Sequence, residues 1–312
     1  MAKKAYRANA QSPAQRITAE IIKRLEEGTR PWVKPWRGVA LARPMRACGI
    51  PYQGINVFWL WLVADMCGFA SPYWMTYRQA GELGGQVRKG EKATIAVFYK
   101  SYTKEVEDPQ TGEPGEEARR VLKSYPVFNA DQVDDLPVRF RPAPVIQPVA
   151  PAGQRAELDT FFGLVPADVR HQGSSAYYEP AADRITMPPV ELFTDYDHYY
   201  ATLAHEMSHW TGHGSRLARD LKNRFGSQGY AAEELVAELS SAMLGSELGL
   251  PVAHLDHHAS YIDNWLQLLR QDDRAILTAA AKAEEASSYL LRLGGRVSQD
   301  SDDQRGDAAL AA

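Results

Sequence analysis

Five consecutive residues, His205-Glu206-Met207-Ser208-His209, combine two imidazoles and a carboxylate at a spacing that suits hydrolytic metal chemistry. On a helix, residues four apart share a face, so both imidazoles can hold one ion while the intervening acid stands beside it. A tetrahedral Zn²⁺ with three protein ligands and one open position brings the pKa of its water towards neutrality. Glu206 is then the candidate general base for that water's proton. With 8 His in the chain, chance supplies this motif in about one chain in eighty of such composition.

A third ligand is required. The extended pattern HExxHxxGxxH is met at Gly212 but fails at its last position, where Ser215 stands. His213 is read as a hydrogen bonder at the helix end, off the metal face. Both cysteines, Cys48 and Cys67, lie in the other half of the chain. The next helical segment, GYAAEELVAELSSAML, offers Glu233, Glu234, Glu238 and Glu247. Glu234 is the candidate ligand, with Glu233 as its alternative. Glu238, one turn after Glu234, is the candidate carboxylate that orients an imidazole from behind. A His₂Glu set suits Zn²⁺, and Mn²⁺ or another divalent ion can take the same donors.

These residues need elements to hold them. The periodicity predicts helices over 195–213 and 230–248, with amphipathic helices over 257–271 and 273–292 and a short one over 154–163. SSAYYEPAADRITMPP reads as two short strands about a turn at 181–183. A strand edge above the HExxH helix is how metal-dependent peptidases hold an extended peptide. Tyr177, Tyr178, Arg184 and Tyr230 are candidate oxyanion or substrate contacts there. In the first half, helices are predicted over 12–28, 55–67 and 76–83, and Trp59 and Trp61 read as core. A strand from Thr94 to Tyr99 is followed by a polar, acidic stretch over 101–120 that reads as a hairpin loop or disordered insertion, and VLKSYPVFNADQV returns as a strand. FRPAPVIQPVAPAG carries four prolines and reads as a linker.

Composition bounds the whole. The 312 residues carry 45% hydrophobic and 24% charged side chains, the profile of a globular protein. No apolar run approaches a membrane span and no secretory h-region opens the chain, so a soluble, cytoplasmic protein is expected. The net charge of −4 conceals a split: residues 1–104 hold 17 Lys and Arg against 6 Asp and Glu, +11, leaving −15 for 105–312. Five of the seven tryptophans also lie in the first 74 residues. Cations interleaved with flat rings are what single-stranded nucleic acid requires. The expected architecture is α+β: a small basic α/β domain over 1–140, a Pro-rich linker over 141–153, a mostly helical domain with a short sheet over 154–297, and a disordered tail over 298–312.

RPWVKPWRG, PYQGINVFWLW, SPYWMTYRQAGELGGQVRKGEKATIAVFYK and YPVFNADQV resemble the N-terminal domain of the ArdC-type antirestriction proteins. ITMPP, HEMSHWTGHGSRLARDL and YAAEELVAELSSAML, through SYIDNWLQLLRQDDRAILTAAAKAEEASSYL, resemble the zincin-like metallopeptidase domain of that family. The resemblance implies a plasmid-borne protein that binds single-stranded DNA and protects incoming conjugative DNA from the recipient's restriction enzymes. It implies metal ligation by His205, His209 and an acid within Glu233-Glu234, with Glu206 as base. A protein or peptide substrate in the recipient's restriction system is the implied second partner. For DNA contacts, the resemblance and the charge split together point to Trp32, Lys34, Trp36, Arg37, Arg43, Arg46, Tyr73, Trp74, Arg78, Gln79, Arg88, Lys89 and Lys92. The competing reading is a single-strand binder whose metal site is structural, protection arising from DNA coating alone.

Overall fold

The computed structural model describes residues 11–30, 32, 42–107, 114–141, 153–221, 227–250 and 259–296. Most of the expected linker, all of the expected tail, and Lys34, Trp36 and Arg37 lie outside those residues. The chain forms two compact units, one from Met1–Lys23 with Pro44–Pro142, the other from Arg24–Arg43 with Ala143–Ala312.

Helix α1 (Pro13–Glu26), whose first eleven residues belong to the first unit, starts on Ser12, whose hydroxyl accepts the Gln15 N–H while the Gln15 side chain returns to the Ser12 N–H. Ala14, Ile17, Ile21 and Leu25 form its buried stripe. Helix α2 (Ile55–Cys67) is apolar almost all round, with Trp59 and Trp61 buried as expected, and Gly68 ends it in the left-handed conformation. The sheet has the order β1 (Met45–Arg46), β2 (Tyr73–Met75), β5 (Pro114–Asn129), β4 (Thr94–Glu107), all antiparallel except β1 beside β2. The Asn56 amide ties α2 to β4 by donating to the Val97 carbonyl and accepting from its N–H, each at 2.8 Å. Short helix α3 (Tyr77–Glu82) begins with a capping box between Thr76 and Gln79, and strands β3 (Gln86–Val87) and β6 (Val133–Asp134) pair beside it. Met75, Ala80, Val87, Val133 and Phe140 fill the core between these elements.

One expectation is corrected. Within the stretch over 101–120, residues 101–107 and 114–120 are strand: β4 and β5 pair continuously from Thr94↔Val127 to Glu107↔Pro114, and 108–113 lie outside the described residues. The arm is exposed on both faces from Phe98 to Lys104, so its strands lack the alternation of apolar and polar residues that marks a half-buried strand. Backbone pairing and the aromatic and β-branched residues of VFYKSYT sustain it instead.

The second unit contains α4 (Gln154–Gly163), a sheet of order β7 (Asp168–His171), β9 (Arg184–Met187), β8 (Tyr177–Glu179), and helices α5 (Tyr196–Thr211), α6 (Gln228–Leu248), α7 (Ala259–Gln271) and α8 (Ala275–Leu293). Strand β7 was not legible in the sequence, since DVRH offers one apolar residue in four. Helix α6 lies at the centre, packed by α5, α7 and α8, which explains why its sequence is apolar on more than one face. Phe161, Ile185, Met187, Tyr200, Trp210, Leu244 and Leu290 form the main core.

Candidate metal centre

Asp195 caps α5 by accepting the His198 N–H, and Ser227 caps α6 by accepting the Tyr230 N–H. Small residues let the two helices approach: the buried Ser208 hydroxyl donates to Ser240 across the contact at 3.0 Å. That register brings His205 and His209 of α5 to Glu234 of α6. The two Nε2 atoms stand 3.2 Å apart, Glu234 Oε2 lies 3.5 Å from His205 Nε2, and Oε1 lies 3.6 Å from His209 Nε2. A tetrahedral ion with bonds of about 2.0–2.1 Å sets its ligand atoms about 3.3–3.4 Å apart. The two imidazoles match that spacing, and the carboxylate turns one oxygen to each of them, with one ligand atom from each residue within 4.8 Å of the others.

Each imidazole is backed by a carboxylate that an arginine holds. Behind His209, Glu233 approaches Nδ1 at 3.2 Å and receives Arg219 at 2.8 and 3.0 Å. Arg219 also donates to the Thr211 hydroxyl and the Ser208 carbonyl. Behind His205, Glu238 places Oε2 3.8 Å from Nδ1, while its Oε1 accepts from Arg30 at 2.9 Å and from the Trp32 indole at 3.4 Å. Glu233 and Glu234 are adjacent in sequence but serve different faces of the site. His213 instead bonds the Ser215 hydroxyl, beyond the end of α5.

The electrostatics follow from burial and charge. Burial lowers the His205 pKa, but Glu234, Glu206 and Glu238 more than reverse this, to about 9. Burial raises that of Glu234, and the His205 hydrogen bond and both imidazoles bring it to about 2. Glu206 is raised, mainly by burial, against the pull of the imidazoles and a hydrogen bond from the Tyr178 main chain. A carboxylate above its ordinary pKa beside a metal site is a stronger base than one in water.

The site opens into a cavity of about 930 Å³. Strand β8, at an edge of the sheet, lines it with Tyr177 and Tyr178. Of the contact candidates, Tyr177 is exposed at the cavity, and the Tyr230 hydroxyl sits beside Glu234 and 3.1 Å from that of Tyr261. Tyr178 spends its hydroxyl on Asp183, and Arg184 pairs with Asp168. Sequence reasoning missed Tyr261, Arg219 and Arg30. Arg219 stands behind a glycine signal: a Cβ at Gly212 would meet its guanidinium at 2.9 Å.

The DNA candidates are dispersed. Trp32 is fully buried, edge-on to Trp265, and Trp74 is 1% exposed. An indole without an exposed face cannot stack on a base, so both leave the candidate surface. Arg43 is largely buried and paired with Glu284 and Glu247, and Gln79 is consumed by the α3 cap. Arg46 lies over the Tyr52 ring and Tyr73 packs edge-on to Phe140. Arg78, Arg88, Lys89 and Lys92 are exposed, Arg78 paired with Glu82 and Arg88 with Glu91.

Comparison with known proteins completes the picture. Residues 11–128 match the family model described as the N-terminal domain of anti-restriction factor ArdC, and residues 156–282 match a zincin-like metallopeptidase. The metal-free crystal structure of the antirestriction ArdC protein from plasmid R388 is similar, with a TM-score of 0.77 and 44% identity over 93% of this chain and 100% of that one. The Mn(II)-bound structure of that protein gives 0.75 and 41%, over 92% and 100%. The uncharacterized protein y4eC of Sinorhizobium fredii (strain NBRC 101917 / NGR234) is 40% identical across 96% of this chain and 95% of its own length. Two Escherichia coli proteins named DNA primase TraC are 39% identical across 89% of this chain, which spans only 27% and 20% of theirs.

Proposed function

We propose, because this chain belongs to the ArdC-type antirestriction family, that it binds single-stranded DNA without sequence preference and carries a hydrolytic divalent-metal centre, together protecting incoming conjugative DNA from restriction. The observation that supports the second half most is the fit of His205, His209 and Glu234 to a tetrahedral ion with Glu206 buried beside it. Zn²⁺ suits these donors, and the Mn(II)-bound relative supports a divalent ion more generally. When bound, the ion supplies a polarised water and a Lewis acid for a carbonyl.

The chain's own residues do the rest. Glu206, buried beside the three donors, would accept the proton of such a water and could pass it to a leaving amine. Edge strand β8 offers main-chain groups to an extended peptide, as β-addition requires. The Tyr230 and Tyr261 hydroxyls, which also line the cavity, are donors for developing negative charge. Glu238 and Glu233 hold the two imidazoles in orientation. On the other unit, the exposed Arg78, Arg88, Lys89 and Lys92 offer phosphate contacts, which fix position without reading sequence. No helix among the described residues is long and apolar enough to cross a membrane.

The deciding experiment compares His205→Ala and Glu206→Ala with the unaltered chain, measuring bound metal, peptide hydrolysis with and without single-stranded DNA, and protection of transferred DNA. His205→Ala should lose the metal. Glu206→Ala should keep metal and fold yet lose hydrolysis and protection. Full protection by Glu206→Ala would instead assign the function to DNA coating alone.

A further inference from the structure

Four of the twelve large hydrophobic side chains exposed among the described residues stand on the β4–β5 arm: Phe98, Tyr99, Tyr102 and Val121. Residues opposite one another in an antiparallel ladder share a face. The register Phe98↔Lys123, Lys100↔Val121 and Tyr102↔Arg119 therefore sets each of two rings directly opposite a cation, with Lys100 between them. Tyr125, opposite Ala96, joins the same face, its ring edge-on to Phe98 at 5.8 Å. From Ala96 to Tyr102 and across to Arg119, the residues on that face include no acid. The surface is thus cationic and aromatic along this length.

We propose that this face of the arm is a stacking platform for single-stranded DNA, an inference that rests on the single-strand-binding reading above and gives it a location. Unpaired bases can lie on Phe98 and Tyr102 while Lys100, Lys123 and Arg119 meet the phosphates, the division of labour that sequence-tolerant single-strand binding uses. Duplex DNA hides its base faces and gains nothing from the rings. A protein partner fits less well, because lysine is depleted from the centres of protein interfaces. The platform also does what the buried Trp32 and Trp74 cannot, since its rings are 41% and 45% exposed.

The test is fluorescence anisotropy of the full chain with a labelled oligothymidylate over a series of salt concentrations. Phe98→Ala/Tyr102→Ala should raise Kd at least about tenfold while leaving the salt slope unchanged. Lys100→Gln/Lys123→Gln should raise Kd and reduce the slope of log K against log salt by about 1.4, the loss of two phosphate contacts on a single strand. The ring variant should bind duplex DNA as the unaltered chain does. All four side chains are exposed, so matching thermal melts are expected and serve as the folding control. A wild-type chain that fails to bind oligothymidylate overturns the single-strand reading itself. A wild type that binds, with both variants unchanged in Kd and slope, overturns the platform alone.

Discussion

At the scale of single residues, the centre is two imidazoles whose far sides meet buried carboxylates. Removing one arginine behind those carboxylates leaves an uncompensated buried charge, which draws on the nearest imidazole instead. Arg219→Met should therefore weaken Mn(II) binding by about 10- to 100-fold, measured by competition with a chromophoric chelator, and Arg219→Lys should recover part of it. Equal affinity in Arg219→Met would show that Glu233 needs no such partner. Protons compete with the metal as well. Without metal, His205 stays protonated up to about 9, and the ion needs its free Nε2. Binding must then release a proton, so affinity should rise with pH by about tenfold per unit from near neutrality and flatten above that value. A flat profile across this range would contradict it. HEMSH was legible because helical geometry alone puts residues four apart together. The choice between Glu234 and Glu233 is not legible in the sequence, because neighbouring helical residues point about 100° apart and it depends on how α6 crosses α5. The tryptophans misled because composition says nothing of which way a ring faces.

Elements carry the precision of the site through their contacts. The end of α8 is one such place: a Cβ at Gly294 would lie 2.1–2.7 Å from the Phe161 ring of α4. The backbone there is ordinary, with φ −78°, so the glycine is required for space rather than conformation. Gly294→Ala should cost about 1–3 kcal/mol, read as a lowered midpoint in urea, by overpacking a closed contact. An unchanged midpoint would mean that α4 shifts freely. Most helices matched their sequence signals to within a few residues because their caps and apolar stripes are local. The outer part of the β4–β5 arm did not, because a strand with water on both faces carries no burial pattern. Phe98 fell within an expected strand, but its alignment with Tyr102 depends on pairing that the polar sequence beyond Lys100 does not announce.

For the whole molecule, the path of the chain matters more than its length. The charge split of +11 and −15 follows a cut at residue 104, but the fold cuts elsewhere. Counted by unit, the first holds 17 basic and 13 acidic residues, +4, and the second 18 and 26, −8. Acids towards the tip of the arm return to the basic side, and the Arg24–Arg43 segment leaves it. That segment supplies Arg30 and Trp32 to the second unit, where Trp32 packs on Trp265 and both bond Glu238. A fragment beginning at Ala143 lacks both. It should bind Mn(II) at least about tenfold more weakly than the full chain and melt at a lower temperature. A fragment equal to the full chain in both respects would reduce Arg30 and Trp32 to bystanders.

The Arg30–Glu238 bond joins residues 208 apart in sequence, and this imposes an order in time. At a synthesis rate of about 5–20 residues per second, Arg30 is added to the chain about 10–40 s before Glu238. Until then the Arg24–Arg43 stretch has no second unit to fold into and must wait with its indole and guanidinium uncommitted. The candidate metal centre is thus among the last parts of the nascent protein to mature, after β4 and β5 have been made.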